Sequence, residues 1–187
     1  CQFGWIGTQD LLGRLEATLA TLSSLQRHRG HFLNWYDTQT LAPLLPSYVS
    51  TVDSGNLSGH LLAVGQACLE LAQAPHDASA VQRALGASRQ RLAPLLECWP
   101  DLAGQQALAQ LLAMPDPLPP DPGAEFGRLL QAASDELAAW QPETTELLPL
   151  EATLKPGSHD QLCWLLSNHL ATLRSAWLDA QARASGE

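Results

Sequence analysis

The sequence predicts an all-α protein, an antiparallel bundle of about six helices. Leu and Ala recur at helical spacing through most of the 187 residues, whereas no alternation typical of strands extends beyond one polar loop. Prolines divide this pattern into segments of helical length, because proline excludes a regular helix interior. The apolar share of 45% is ordinary for a folded domain with a core. We therefore expect helices packed against helices.

The first predicted helix covers residues 8–26, where leucines fall on one stripe. Gly30 is in a position to end it, since glycine readily adopts the backbone conformation found just after a helix. Pro43 and Pro46 then exclude a regular helix through the following loop. A short extended piece is expected at residues 48–52, because aromatic and β-branched residues cluster there.

The second predicted helix covers residues 55–73, with Asp53 or Ser54 as its N-cap. Pro94 is expected to kink or split the third helix. A capping box that begins at Ser158 starts the last helix, and His169 on its apolar face is interpreted as a core histidine. The third to sixth helices are predicted at residues 79–99, 100–114, 122–140 and 158–183.

The chain is predicted to form one helical fragment over residues 1–187. Residues 1–114 carry the distinctive loop at residues 29–57. Residues 115–123 read as a rigid proline-rich connector, and residues 124–187 supply the C-terminal helices. The first residue is Cys rather than Met, and we expect the chain to be an internal piece of a longer protein.

The charge balance, the cysteine spacing and the histidine positions limit which partners and bound groups are expected. The formal net charge is −9 and Lys155 is the only lysine, so a nucleic-acid partner is not expected. The four cysteines are widely spaced and suit reduced thiols. His28 and His31 straddle a predicted helix end and no HExxH motif occurs, so neither a metal nor a cofactor is expected.

The loop differs in composition from the helices around it. It is rich in Trp, Tyr, His, Asn, Asp, Ser and Gly, and aromatic faces beside carboxylates and amides suit a carbohydrate site. An equally good interpretation is that Trp35 and Tyr36 plug the core while Asp37 and Asp53 cap helices. Paired carboxylates also cleave glycosidic bonds, but the sequence does not give the separation of these two. Both interpretations stay open from the residues alone.

Residues 27–62, RHRGHFLNWYDTQTLAPLLPSYVSTVDSGNLSGHLL, resemble the glucoamylase-like glycosidase segment of bacterial cyclic β-1,2-glucan synthases. The preceding FGWIGTQDLLGRLEATLATLSSL is similar to the helix before this motif, so the resemblance covers about residues 3–71. It implies that the helices form part of an (α/α)6 barrel, with sugar bound by loops at its mouth. It also implies a large parent protein at the cytoplasmic side of the bacterial inner membrane.

The resemblance further implies that the loop holds β-1,2-glucan. Trp35 and Tyr36 would be stacking platforms, and Asp37 and Asp53 would accept hydrogen bonds from sugar hydroxyls. Asn56 would both donate and accept. The implied substrate-binding residues are His31, Asn34, Trp35, Tyr36, Asp37, Asp53, Ser54 and Asn56.

The same resemblance implies that the catalytic glutamates lie outside the matched residues. The fragment is therefore expected to be inactive when isolated, with no catalytic residue of its own. Its partners would be β-1,2-glucan and the remaining domains of the parent synthase, and isolated copies would self-associate through exposed apolar surface. The alternative function is a non-catalytic helical interaction or scaffold domain.

Overall fold

The computed structural model describes residues 4–74, 78–99, 102, 104–114, 123–140 and 158–186. Within these residues lie six helices and one short β-hairpin, which confirms the all-α class. The helices are α1 Thr8–Ser24, α2 Thr51–Gln73, α3 Ala78–Leu96, α4 Gln106–Leu112, α5 Gly123–Trp140 and α6 His159–Ser185, and the strands are β1 Arg27–His28 and β2 His31–Phe32. Apart from Gly123, the connector predicted at residues 115–123 lies outside the described residues. None of the described helices is long and apolar enough to cross a membrane.

The chain divides into two compact units. We call Cys1–Gly13 together with Asp77–Glu187 the core unit, and Arg14–His76 the loop unit. The division falls within α1, so the start of that helix belongs to the core unit and the rest to the loop unit.

The core unit is built on α6. This helix packs against α3 and α5, and α5 also packs against α4. Leucines at positions three and four apart give α6 one continuous apolar stripe, which its neighbours cover. The apolar residues most fully buried in this unit are Leu85, Leu92, Leu108, Leu111, Ala133, Leu162, Leu166 and Leu173.

Polar side chains fix how these helices meet. His169 on α6 is only 1% exposed, and its Nδ1 lies 3.0 Å from Ser88 Oγ on α3, so the predicted core histidine is confirmed. The Glu136 carboxylate on α5 accepts hydrogen bonds from the backbone N–H groups of Ala107 and Leu108, at 3.0 and 2.9 Å. Those two donors open α4 and have no partner within their own helix, so Glu136 caps it.

Two predictions about helix ends in this unit have different outcomes. Ser158 is the N-cap of α6, and its Oγ accepts a hydrogen bond from Gln161 N at 3.1 Å, as the capping box predicts. Pro94 was expected to kink or split α3, and α3 continues through it without a split. It lies in the last turn, where the missing N–H removes one hydrogen bond, and the helix ends two residues later at Leu96.

In the loop unit, α1 leads into the β-hairpin, and two predictions are corrected there. Gly30 was expected to end α1, but α1 ends earlier at Ser24. Arg29 and Gly30 instead form the two-residue connection of β1 and β2, with φ of 51° and 87°. Positive φ at both central residues is what a type I′ hairpin turn requires. Of the extended piece expected at residues 48–52, Ser50 does have extended backbone, with φ of −84° and ψ of 120°, whereas Thr51 and Val52 already belong to α2.

The start of α2 corrects the predicted cap. Ser50, rather than Asp53 or Ser54, is the N-cap, and its Oγ accepts a hydrogen bond from Asp53 N at 3.2 Å. Asp53 therefore lies in the first turn, where a carboxylate interacts favourably with the positive end of the helix dipole. Serine three residues before an acid is itself a capping pattern, so the helix starts four residues earlier than predicted.

No residue among the described residues 14–74 is buried. Large apolar side chains on α2 are open to solvent, with Val52 at 69%, Leu62 at 77% and Leu69 at 60% exposure. The loop unit thus differs from the core unit in having no residue fully removed from water in the described part of its chain.

Candidate functional site

The segment between β2 and α2 is folded by backbone hydrogen bonds. Asp37 N donates to Ala42 O at 2.9 Å, and Leu44 N donates to Trp35 O at 3.0 Å, so residues 35–37 run alongside residues 42–44. Asn34 N also donates to Tyr48 O at 2.9 Å. These bonds give the side chains of the loop defined directions, which a site on a loop requires.

Asp37 supports the turn that its own segment makes. Its Oδ1 accepts hydrogen bonds from Gln39 N at 3.0 Å, from Thr40 N at 2.7 Å and from Thr40 Oγ1 at 2.9 Å. The two bonds from Thr40, followed by that from Gln39, hold the pKa of the Asp37 carboxyl below its ordinary value. These bonds make Asp37 a turn-stabilising carboxylate, and one oxygen already has three donors.

Tyr36 is braced by two backbone groups. Its hydroxyl donates to Gln26 O at 2.7 Å and accepts a hydrogen bond from Leu33 N, also at 2.7 Å. The ring is half-buried and lines a cavity between the end of α1 and the start of α2. Its polar end is therefore satisfied within the loop unit, and the ring forms part of the cavity wall.

Asn34 is the centre of a polar cluster with two aromatic residues and one acid. Its side-chain amide is satisfied when the Nδ2 group donates to Asp53 Oδ2 at 3.0 Å. The amide oxygen then accepts hydrogen bonds from Tyr48 Oη, at 2.7 Å, and from the indole N–H of Trp35. Trp35 and Tyr48 remain 65% and 51% exposed. We call these four residues the Asn34 cluster.

The cavity beside this cluster has a volume of about 250 Å³. Its wall is mainly apolar, and Asn34, Ser50, Asp53 and Ser54 are the polar residues that line it beside Tyr36. Arg27 lies over the ring of Phe32, 4.5 Å from its centroid, and so supports one wall from outside. The lining residues are Leu22, Leu25, Phe32, Leu33, Asn34, Tyr36, Ser50, Asp53, Ser54 and Leu57.

The eight residues predicted as glucan-binding fall into two groups. Asn34, Tyr36, Asp53 and Ser54 line this one cavity. The other four are not among its lining residues. His31 is exposed on β2, Trp35 is exposed in the Asn34 cluster, and Asp37 lies in its turn. Asn56 is exposed on α2, where its backbone oxygen lies 2.7 Å from His60 Nδ1.

Sequence reasoning missed several residues of the site. Tyr48 was interpreted only as part of an extended piece, although its hydroxyl belongs to the Asn34 cluster. Ser50 could have been found from its spacing to Asp53, which is that of a capping pattern. Of the wall leucines, Leu22 lies on α1 and Leu57 on α2, while Leu25 and Leu33 lie outside the helices. Nothing in the sequence distinguishes these leucines from core residues. Among the described residues, no group of three or more His, Cys, Asp or Glu side chains could hold a metal ion.

Comparison with known proteins agrees with the resemblance drawn from the residues. Over 73 residues, 39% of this chain, the sequence is 55% identical to cyclic beta-(1,2)-glucan synthase NdvB of Rhizobium meliloti (strain 1021). The match takes in 3% of the length of that protein. No family model matches the chain. The resemblance to a cyclic β-1,2-glucan synthase is therefore confirmed for a fragment, while the activity of a whole synthase reaches this chain only as a proposal.

Proposed function

We propose that the loop between α1 and α2 binds β-1,2-glucan, in a glucoamylase-like segment of a cyclic β-1,2-glucan synthase that processes or transglycosylates this polymer. The observation that carries the proposal is that Trp35 is exposed and also held in one orientation. Trp35 is 65% exposed while its indole N–H is held by Asn34. An exposed indole of fixed orientation is suited to stack on the C–H face of a sugar. The identity to a glucan synthase supports the same substrate.

The cavity beside Trp35 supports a binding role for the polar residues. Asp53 and Asn34 place a carboxylate and an amide at its wall, next to apolar side chains. Such a mixture is typical of ligand pockets, which usually measure about 300–1,000 Å³. The volume of about 250 Å³ lies just below that range, so we propose that the cavity admits one glucose unit of a longer chain.

A titration with sophoro-oligosaccharides, followed by tryptophan fluorescence, tests this proposal. We expect a saturable response, and Trp35→Ala should weaken the affinity by about tenfold or more. Trp164→Ala is the matched control, because Trp164 is 54% exposed but lies on α6 in the core unit. A wild-type protein without saturable binding, checked by calorimetry, would contradict the proposal.

A scaffold role is the second candidate, and specific contacts favour it. The hydroxyl of Tyr36 and the carboxylate of Asp37 are both used within the loop unit, as structural braces are. If the loop only supports the helices, Trp35→Ala and Asp37→Ala should lower the melting temperature by several degrees and leave glucan binding absent or unchanged. Stability and binding measured on the same variants separate the two candidates.

We also propose that the remaining domains of a parent synthase, at the cytoplasmic side of the inner membrane, cover the apolar face of α2. The exposure of Val52, Leu62 and Leu69 supports this proposal. The isolated chain is then expected to self-associate and to bind glucan without cleaving it. Sedimentation velocity over a concentration series tests the first expectation, with a Leu62→Ser and Leu69→Ser double variant expected to remain monomeric.

A further inference from the structure

We infer that Asn34 is a positioning residue that holds Trp35 and Tyr48 as a paired aromatic platform for two neighbouring sugar units of one oligosaccharide. This inference rests on the proposed glucan binding and deepens it. It assigns a ligand contact to Tyr48, and it makes a disaccharide the smallest ligand that uses the whole platform.

The geometry of the Asn34 amide carries the inference. In the amide orientation that gives both ends of the side chain suitable partners, the Asn34 oxygen accepts the Tyr48 hydroxyl, at 2.7 Å, and the Trp35 indole N–H. The polar ends of both aromatic side chains therefore meet at one atom. Both residues are more than half exposed, so two solvent-exposed aromatic side chains are joined through their polar ends at Asn34.

Asn34 is itself held from two sides. Its backbone N–H donates to Tyr48 O at 2.9 Å, and its Nδ2 donates to Asp53 Oδ2 at 3.0 Å. Asp53 belongs to the first turn of α2, whose N-cap Ser50 receives the Asp53 N–H. The platform is thus connected to a helix rather than to loop backbone alone. A ligand meeting rings already fixed in orientation loses less of its binding free energy to ordering them.

The pairing excludes Tyr36, although Tyr36 is adjacent to Trp35 in sequence. Its hydroxyl is bonded to Gln26 and Leu33, and its ring lines the cavity. One ring can stack on one sugar face, whereas two rings joined at Asn34 offer surface to successive units of a chain. The consequence is specific: affinity should rise from one sugar unit to two, and this increment should depend on Tyr48 and Asn34.

Calorimetric titration of the full chain with glucose, sophorose and sophorotriose tests the inference. We expect sophorose to bind roughly tenfold more tightly than glucose to the wild-type protein. Tyr48→Ala should reduce that ratio to about one, and Tyr48→Phe, which keeps the ring and loses only the hydroxyl bond, to roughly threefold. Asn34→Ala should also remove the increment. Leu45→Ala is the control, because Leu45 is 88% exposed in the same loop and should leave the ratio unchanged.

The outcomes separate this inference from the proposal beneath it. If the wild-type protein binds sophorose and loses binding in Trp35→Ala, but Tyr48→Ala and Asn34→Ala keep the tenfold ratio, the paired platform is overturned and the glucan site stands. If no oligosaccharide binds the wild-type protein, both the paired platform and the glucan site are contradicted. If the alanine variants lose their helical circular dichroism, the test depends on Tyr48→Phe. An unchanged ratio of sophorose to glucose affinity in that variant overturns the role of Asn34.

Discussion

The core unit and the loop unit use similar helices with different results. In the core unit, Leu92, Leu111 and Leu162 are fully excluded from water. In the loop unit, none of the described residues 14–74 is buried, although α2 is as rich in apolar residues as its counterparts. The contrast teaches that an apolar pattern identifies helices that need a cover, but does not say which part of a protein supplies it.

The comparison is sharpest between α6 and α2. The apolar stripe of α6 meets α3 and α5, and the opposite side is polar. On α2, Leu61, Leu62, Val64 and Leu69 are all exposed, and the apolar residues extend around much of the helix. A helix that is apolar on most sides is typically enclosed by others. The resemblance at residues 3–71 lies largely in this loop unit, so the region that carries the candidate site is also the less well packed one.

The largest expected effect is on a leucine of the core unit. Leu166→Ala removes a side chain that is 1% exposed and should cost about 2–5 kcal/mol of unfolding free energy, because it leaves a cavity. In the monomeric protein, at a concentration below that of self-association, Leu62→Ala on α2 should change it by less than about 0.5 kcal/mol, since Leu62 is 77% exposed. Urea unfolding followed by circular dichroism measures both. Equal losses of unfolding free energy in the two variants would contradict the contrast between the core unit and the loop unit.

The same glycine substitution should have opposite signs in the two units. A Cβ added at Gly127 would lie 2.5 Å from Trp177 Cζ2, so Gly127→Ala should destabilise the core unit by about 1–3 kcal/mol. Nothing lies within 4 Å of the corresponding position at Gly59 on α2, so Gly59→Ala should stabilise that helix by about 1 kcal/mol. A destabilising Gly59→Ala, read from thermal unfolding, would mean that α2 is closely covered in solution.

Thiol labelling compares the units without changing the chain. Burial, together with the charge of Asp160, raises the pKa of the Cys163 thiol from 9.0 to about 11, whereas Cys68 and Cys98 are exposed. At pH 8, alkylation of Cys163 should be at least about tenfold slower than that of Cys68, because the thiolate is the reactive form. Peptide mass spectrometry measures each rate.

The raised pKa of the Cys163 thiol also affects the stability of the protein at alkaline pH. Between pH 9 and 11 the folded protein retains a proton that the unfolded chain releases, so unfolding becomes easier as pH rises through that window. Urea unfolding measured across this pH window tests the expected loss of stability.

In the labelling experiment at pH 8, rapid alkylation of Cys163 in the native protein would show that α6 opens readily. It would contradict the contrast drawn between α6 and α2.

The smallest expected effect is at the turn held by Asp37. Because its folded pKa is lowered below the ordinary 3.8, the carboxylate supports the turn at higher pH, and this support is lost as pH falls through the lowered value. The amide resonance of Thr40 should therefore shift with a midpoint below pH 3.8. Asp37→Asn should abolish the transition, and a midpoint at or above 3.8 would contradict the hydrogen bonds seen at that carboxylate.

Much of the fold follows from the sequence, because helices reflect local periodicity and capping. The cap at Ser158 and the buried His169 were predicted correctly from their neighbours in sequence. The hairpin was missed because Arg29 and Gly30 were interpreted as a helix end, and glycine serves both purposes. The start of α2 was misplaced because several residues near it are good caps, and the choice among them depends on the loop backbone.

The candidate site was less accessible to sequence reasoning. The motif identifies Asn34, Trp35 and Asp53 as polar and aromatic residues of one loop, but hydrogen bonds between residues 14 and 19 apart decide how they assemble. Tyr48 enters the Asn34 cluster only because the loop returns past Asn34. Leu22 of α1 and Leu57 of α2 meet in the cavity wall although they are distant in sequence, and such convergence depends on tertiary structure.

The central claim is that the loop between the first two helices faces glucan, and hydrogen exchange with mass spectrometry tests it most directly. Exchange should be measured for the full chain with and without sophoro-oligosaccharides. We expect added protection in peptides that cover residues 31–57 and no change in peptides from α6. Unchanged exchange in residues 31–57 at saturating sugar, or protection confined to α6, would contradict the account.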